Sequence, residues 1–350
     1  VIDVNALTLT TNLLDLRTTG ALGLDGSSLK LDGRLADVGA FAPGFPGPAT
    51  VTGTIGQVRT GGDYRVDVNL TGPGGIRSTL AGTAAVDFAT VNLDAKGFAP
   101  LALANGFIQP RSITGEVGYD LAINGPLSVN SISGQISTSG ARLVTPTLGI
   151  TLNEISGNVN LSGGRADLSF VALPEAGGRL RLDGPVALTA PFTADLKAVL
   201  DDVVLTDGQI YETQIDGQVG VNGPLRGGAR IAGDLEMGLT TIRIPSSAVG
   251  GSGPIPEVIH INEPPPVRGT RERAGLIRDA EASAQDAGPG FPLDVRISAP
   301  NQLFVRGRGL ESEFAGELRV TGTTKNVVPI GGFNLVRGRL DILGQRLSLQ

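Results

Sequence analysis

Ile113-Thr-Gly-Glu-Val-Gly-Tyr-Asp-Leu-Ala-Ile-Asn-Gly-Pro-Leu127 is the stretch that decides the fold. Within it Val117, Tyr119, Leu121 and Ile123 alternate with Gly118, Asp120, Ala122 and Asn124. Successive side chains of an extended chain point to opposite faces, so this run predicts a strand with its larger apolar groups on one face. Just downstream, Ile132, Gly134 and Ile136 repeat the theme against Ser131, Ser133, Gln135 and Ser137. Upstream, Val66, Val68 and Leu70 do so against Asp67 and Asn69. In each run one face stays free of charge, the pattern of a half-buried strand.

The unit recurs as Ile215-Asp-Gly-Gln-Val-Gly-Val-Asn-Gly-Pro-Leu225, with echoes at Ile155-Ser-Gly-Asn-Val-Asn-Leu161 and Phe314-Ala-Gly-Glu-Leu-Arg-Val320. Repetition of this kind predicts an extended array. Asp25-Gly26, Asp32-Gly33, Asn105-Gly106, Asn124-Gly125, Asp183-Gly184, Asp207-Gly208, Asp216-Gly217 and Asn222-Gly223 are dipeptides that favour tight turns, so hairpins are expected between successive strands.

Gly is 52 of 350 residues, aromatics are 4 % and Trp is absent, so bulky groups cannot fill a thick core and the sheet is expected to be thin. At roughly 11 residues per strand and turn, on the order of 27 strands are expected. Spaced ~4.8 Å apart they would extend on the order of 130 Å. A sheet of that size twists and curls. The expected fold is all-β: an elongated curled β-sheet with an apolar concave groove.

Alternation breaks between Ser246 and Pro292, where Pro264-Pro265-Pro266, Arg271-Glu272-Arg273 and the Ala-rich Asp279 to Ala287 follow one another. This reads as a mobile excursion with a short helix from Arg271 to Ala284. Three regions result: a repetitive β-groove segment over 1–245, the Pro/Gly/charged excursion over 246–292, and a closing β segment over 293–350. There is no initiating Met, and alternation runs into both ends, so the chain reads as an internal fragment.

Several chemistries lack their parts. A formal charge of −6, with no aromatic platform among the arginines, argues against nucleic acid as a partner. With no Cys there is no disulfide framework, thiolate zinc site or thiol nucleophile. His260 is the only histidine, so a histidine metal cluster or a Ser-His-Asp set has no sequence support, and solvent exposure is its bland reading. Gly307-Arg308-Gly309 echoes a dinucleotide loop, but Ser312 stands where the third glycine belongs. Asp201-Asp202 is an acidic pair without a calcium-loop spacing. No catalytic residue, metal or cofactor is expected, and no apolar run reaches the ~18 residues of a membrane-spanning helix.

What remains is the alternating face, with Val117, Tyr119, Leu121, Ile123, Ile132 and Ile136 as candidate lipid-binding residues. Alternation often means only that a second protein layer covers the sheet. Leaving about ten Leu, Ile or Val side chains wet would cost on the order of 20 kcal/mol, so protein or an apolar ligand must cover them.

Leu293-Asp-Val-Arg-Ile-Ser-Ala-Pro-Asn-Gln-Leu-Phe-Val-Arg-Gly-Arg-Gly-Leu-Glu-Ser-Glu-Phe-Ala-Gly-Glu-Leu-Arg-Val-Thr-Gly322, followed by Gly331-Gly-Phe-Asn-Leu-Val-Arg-Gly-Arg-Leu340, resembles the C-terminal region of the TamB family, part of the AsmA-like proteins. Val305 and Leu310 match apolar positions of the motif, and Arg306, Arg308, Glu311 and Glu313 match polar ones. The resemblance implies a β-taco, a folded-over sheet with an apolar interior. It further implies a periplasmic protein anchored in the inner membrane by a segment outside this chain. Transport of phospholipid, held by its acyl chains, and a TamA-like outer-membrane partner come with it. For the motif charges the bland role is cross-strand pairing; the alternative is a rim that meets headgroups. Two other classes stay open, a β-helix adhesin or structural repeat protein and a β-solenoid carbohydrate enzyme.

Overall fold

The computed structural model describes residues 2–23, 26–40, 45–57, 59, 61–146, 149–245, 290–342 and 345–349. Most of the 246–292 excursion, including His260 and the expected helix, lies outside the described residues. Those described form 20 strands. The first ten are β1 (Ile2–Thr10), β2 (Leu14–Gly23), β3 (Gly26–Leu35), β4 (Ala49–Gln57), β5 (Tyr64–Gly72), β6 (Ile76–Ala84), β7 (Val91–Pro100), β8 (Ser112–Thr114), β9 (Glu116–Gly125) and β10 (Ile132–Thr145). Then come β11 (Ile150–Ser162), β12 (Arg165–Pro174), β13 (Arg179–Ala187), β14 (Thr193–Thr206), β15 (Tyr211–Pro224), β16 (Arg230–Arg243), β17 (Leu293–Gly307), β18 (Leu310–Thr323), β19 (Asn326–Ile342) and β20 (Gln345–Leu349). The fold is all-β, an open curled sheet of the β-taco type. Strands are fewer than expected because they lengthen along the chain, from 9 residues in β4 to 14 in β10 and 17 in β19.

The chain divides into two compact units, Val1–Leu205 with Asp216–Gly220, and Thr206–Ile215 with Val221–Gln350. In the first, neighbours in sequence are neighbours in the ladder. Each strand from β1 to β6 pairs antiparallel with the next, β7 pairs with β9, and β9 to β14 continue the series. Short β8 pairs with the far part of β10, Ser112 facing Val144, so β8 and β9 act as one strand broken at Gly115. Stacked rungs of a β-helix pair in parallel, and antiparallel neighbours overturn that alternative.

Three Asp-Gly pairs do not turn the chain. Asp32-Gly33 lies inside β3, Asp183-Gly184 inside β13 and Asp216-Gly217 inside β15. Each puts an acid on one face and leaves a gap on the other. At Gly184, with φ +134°, a Cβ would come 2.1 Å from the Asp195 carbonyl oxygen on the next strand. Glycine here permits close approach and a bend within the strand. Asp207-Gly208 does turn: the Asp207 carboxylate accepts N–H bonds from Gln209, Ile210 and Tyr211 at 2.9, 2.7 and 3.0 Å. Those bonds, that from Tyr211 foremost, hold its pKa below the ordinary carboxylate value.

The core is thin. Among the described residues no isoleucine or phenylalanine is buried; alanines predominate, and the larger buried apolar groups are Val68, Val91, Leu93, Val203 and Leu303. Ala84, Val91 and Leu93 form a compact cluster, with Tyr64, Val66, Leu80 and Ile123 against it. Phe88 stacks on Tyr64 with ring centroids 5.2 Å apart.

In the second unit β16 and β17 are parallel, whereas β17 to β20 are antiparallel in sequence order. Thr213 on β15 and Thr240 on β16 share a buried hydroxyl contact of 2.7 Å. A tight hairpin cannot join parallel strands: Leu293 pairs beside Ile231, near the start of β16, and Arg243 beside Arg306.

Candidate functional site

Register brings the sequence-predicted residues together. Across β9 and β10, Ile123 faces Ile132, Leu121 faces Gly134, Tyr119 faces Ile136 and Val117 faces Thr138. Directly opposed residues share a face. Val117, Tyr119, Leu121, Ile123, Ile132 and Ile136 therefore lie on one surface, and all six are half-buried.

That surface extends across the first unit. From Leu121 one row runs through Ala95, Leu80, Val68, Gly53 and Leu31 to Thr18 on β2. In the other direction it runs through Gly134, Leu161, Ala166 and Val186 to Ala194 on β14. No residue in the row is charged. Glycines stand between larger neighbours, as Gly53 does between Leu31 and Val68. Leu93 and Ala95 on β7 belong to it but were not singled out from sequence, because the small Ala95, Gly97 and Ala99 weaken the alternation there.

The opposite face is polar. Asp120 stands beside Lys96 on one side and Gln135 on the other, and the Lys96 ammonium lies 2.9 Å from the Asp120 carboxylate. The hydrogen bond and charge of Asp120 raise the Lys96 pKa. A one-residue shift would exchange these two faces, so the uncharged row also fixes the register. Of the acidic pair, Asp201 lies 3.9 Å from Arg181 across β13 and β14, and the Asp202 N–H donates to Asp216 at 2.8 Å. Among the described residues no three His, Asp or Glu side chains gather as metal ligands.

In the second unit the motif splits by face. Val305 faces Ser312 and Leu310 faces Leu340 on the apolar side. Arg306 and Glu311 face one another on the other side. Glu311 lies 2.5 Å from Arg339 and Glu313 lies 2.6 Å from Arg337. The Arg306 guanidinium sits over the Phe304 ring, 4.9 Å from its centroid. These groups line a hollow of about 300 Å³. Arg308, with φ +50°, belongs to the two-residue turn between β17 and β18, and its Nε donates to the Pro245 carbonyl at 3.0 Å. The glycines around Arg308 thus serve a hairpin. A second polar cluster joins three strands: Asp294 on β17 lies 2.5 Å from Arg230 on β16 and 2.7 Å from Arg319 on β18. These two arginines, Arg319 first, hold the Asp294 pKa down at about 2.

Among the described residues no helix is long and apolar enough to cross a membrane. A search of curated proteins and a search of solved structures each found no match. A family model, the TamB C-terminal domain, matches residues 169–350, reaching well upstream of the motif segment and covering more than half of the sequence. The chain belongs to the TamB family.

Proposed function

We propose that this chain is a non-enzymatic, lipid-conducting segment of a periplasm-spanning TamB-like protein. Its uncharged sheet face carries phospholipid acyl chains between the inner and outer membranes. The observation that supports this most is the register of β9 and β10, which puts six apolar candidates on one half-buried face inside a row without charge. Among the described residues few large side chains are buried, which supports an apolar ligand as the cover of that face. Acyl chains would remove its apolar area from water at ~25 cal/mol per Å². Catalysis has no place in this reading.

Residues 1–245 are the repetitive groove, 246–292 the excursion and 293–350 the closing segment. Family membership supports a TamA-like outer-membrane partner and a contribution to outer-membrane protein assembly. It also supports a periplasmic location, with an inner-membrane anchor outside this sequence. The test is photo-crosslinking to lipid from probes at positions 120 and 121 in the intact parent protein. Crosslinking from 121 but not 120 is expected; equal yields from the two faces would exclude the groove.

A further inference from the structure

Two hydroxyls interrupt the apolar face of the first unit at one place. Ser78 on β6, Gly97 on β7 and Tyr119 on β9 stand side by side in register. The glycine lets the tyrosine lie flat across β7. A Cβ on Gly97 would come 2.7 Å from the Tyr119 hydroxyl oxygen and 2.8 Å from Ser78 Cα, which puts those two atoms no more than 5.5 Å apart. Both hydroxyls thus border one small volume on the face. Neither has a hydrogen-bond partner among the described residues. Thr138, on the same face, differs: its hydroxyl donates to the Glu116 carbonyl at 2.6 Å.

We propose that Ser78 and Tyr119 form a paired hydrogen-bond donor site for an ester carbonyl of a diacyl lipid lying on this face, an inference that rests on the lipid-carrying reading above. While the face is wet, water serves both hydroxyls. When acyl chains displace that water, a hydroxyl left unpaired loses its solvation without return. A sheet carbonyl can take a second bond, as Glu116 does from Thr138, but Ser78 and Tyr119 use none, so an acceptor carried by the lipid replaces the displaced water. An ester carbonyl has two lone pairs and lies where acyl chain meets glycerol, at the edge of the apolar zone. It can accept from the phenol and the serine together. The pair would set where along the sheet the polar end of a lipid pauses.

The test compares two vesicle lipids, diacyl phosphatidylethanolamine and its dialkyl ether analogue, which keeps the phosphate and lacks the carbonyls. The full chain is incubated with each and recovered, and retained lipid is counted by mass spectrometry. Tyr119→Phe, which keeps the ring, and Ser78→Ala are each expected to retain about threefold to tenfold less diacyl lipid. The ratio of retained diacyl to ether lipid should fall accordingly, and circular dichroism should match the unsubstituted chain. An equal fall for both lipids would assign the hydroxyls to phosphate or to packing and overturn the proposal. No fall for either would overturn it as well, while the crosslink at 121 would leave the lipid-carrying reading standing. An unsubstituted chain that retains neither lipid, with no crosslink at 121, would remove that reading and this inference with it.

Discussion

Leu121 on β9 faces Gly134 on β10, and the absence of a side chain on the glycine is what allows their strands to sit as they do. A Cβ on Gly134, whose φ is +123°, would lie 2.2 Å from the Asp120 carbonyl oxygen and 2.9 Å from Leu121 Cα. Both contacts are with backbone, which cannot swing aside as a side-chain tip could. Gly134→Ala should therefore destabilise the first unit by on the order of 1–3 kcal/mol, read as a lower urea midpoint. Gly106→Ala is the matched control, because a Cβ there meets nothing within 4 Å. Equal stability of the two variants would refute the close-approach role of Gly134.

Leu121→Asp tests the face itself. A carboxylate placed in the uncharged row has no cation opposite it, since its register neighbours are Ala95 and Gly134. Covering it with hydrocarbon would leave a charge without a partner, so lipid retention should drop severalfold while the half-buried position lets the chain fold. Asp120→Ser removes the exposed pair with Lys96 on the other face and should leave retention unchanged. Mass spectrometry of co-purified lipid, with circular dichroism as a check on folding, reads both outcomes. A folded Leu121→Asp variant with full retention would defeat the groove.

Asp294 carries a pH dependence whose sign is set by its two arginines. Its folded pKa, about 2, lies below the ordinary value of 3.8, so the folded state favours the ionised form. The stabilisation is complete above pH ~4 and is lost as the pH falls through about 2. Carboxyl-carbon NMR should show Asp294 titrating near 2. Arg319→Gln should move that titration upward and weaken the acid dependence of the second unit's unfolding. A titration that is the same with and without Arg319 would contradict this.

The strands and their faces were legible because alternation is a local signal: Val117 to Ile123 announces its own pleat. Which face of one strand meets which face of the next depends on register, and no local pattern states it. Only the opposition of Ile123 to Ile132 shows that the two groups share a surface. Asp183-Gly184 misled for a related reason. The dipeptide suits a turn, but the same freedom at φ also suits a bend inside β13, and tertiary pairing decides between them. The parallel pairing of β16 and β17 was likewise hidden, because alternation marks a strand and not the sense in which it pairs. At the site, Tyr119 read as one more large side chain, and its reach over Gly97 towards Ser78 required coordinates.

The last prediction concerns Glu313, a motif acid whose side chain is only 11 % exposed while its partner Arg337 is 78 % exposed. Glu313 sits beside an irregularity in β17, where register shifts between Ala299 and Leu303 and Gln302 takes φ +64°. The Gln302 N–H points to the Glu313 carboxylate at 3.4 Å, a long contact, so Arg337 at 2.6 Å is the main support of that charge. Arg337→Met keeps much of the stem and removes the cation, leaving a shielded carboxylate unpaired, at a cost of on the order of 1–3 kcal/mol. Glu313→Gln removes the charge and keeps the shape, so in the double variant the loss of Arg337 should matter less. A double-mutant cycle by urea unfolding should therefore give a coupling of about 1 kcal/mol or more. Strict additivity of the two substitutions would show that the pair is an ordinary surface contact and that the bulge holds itself.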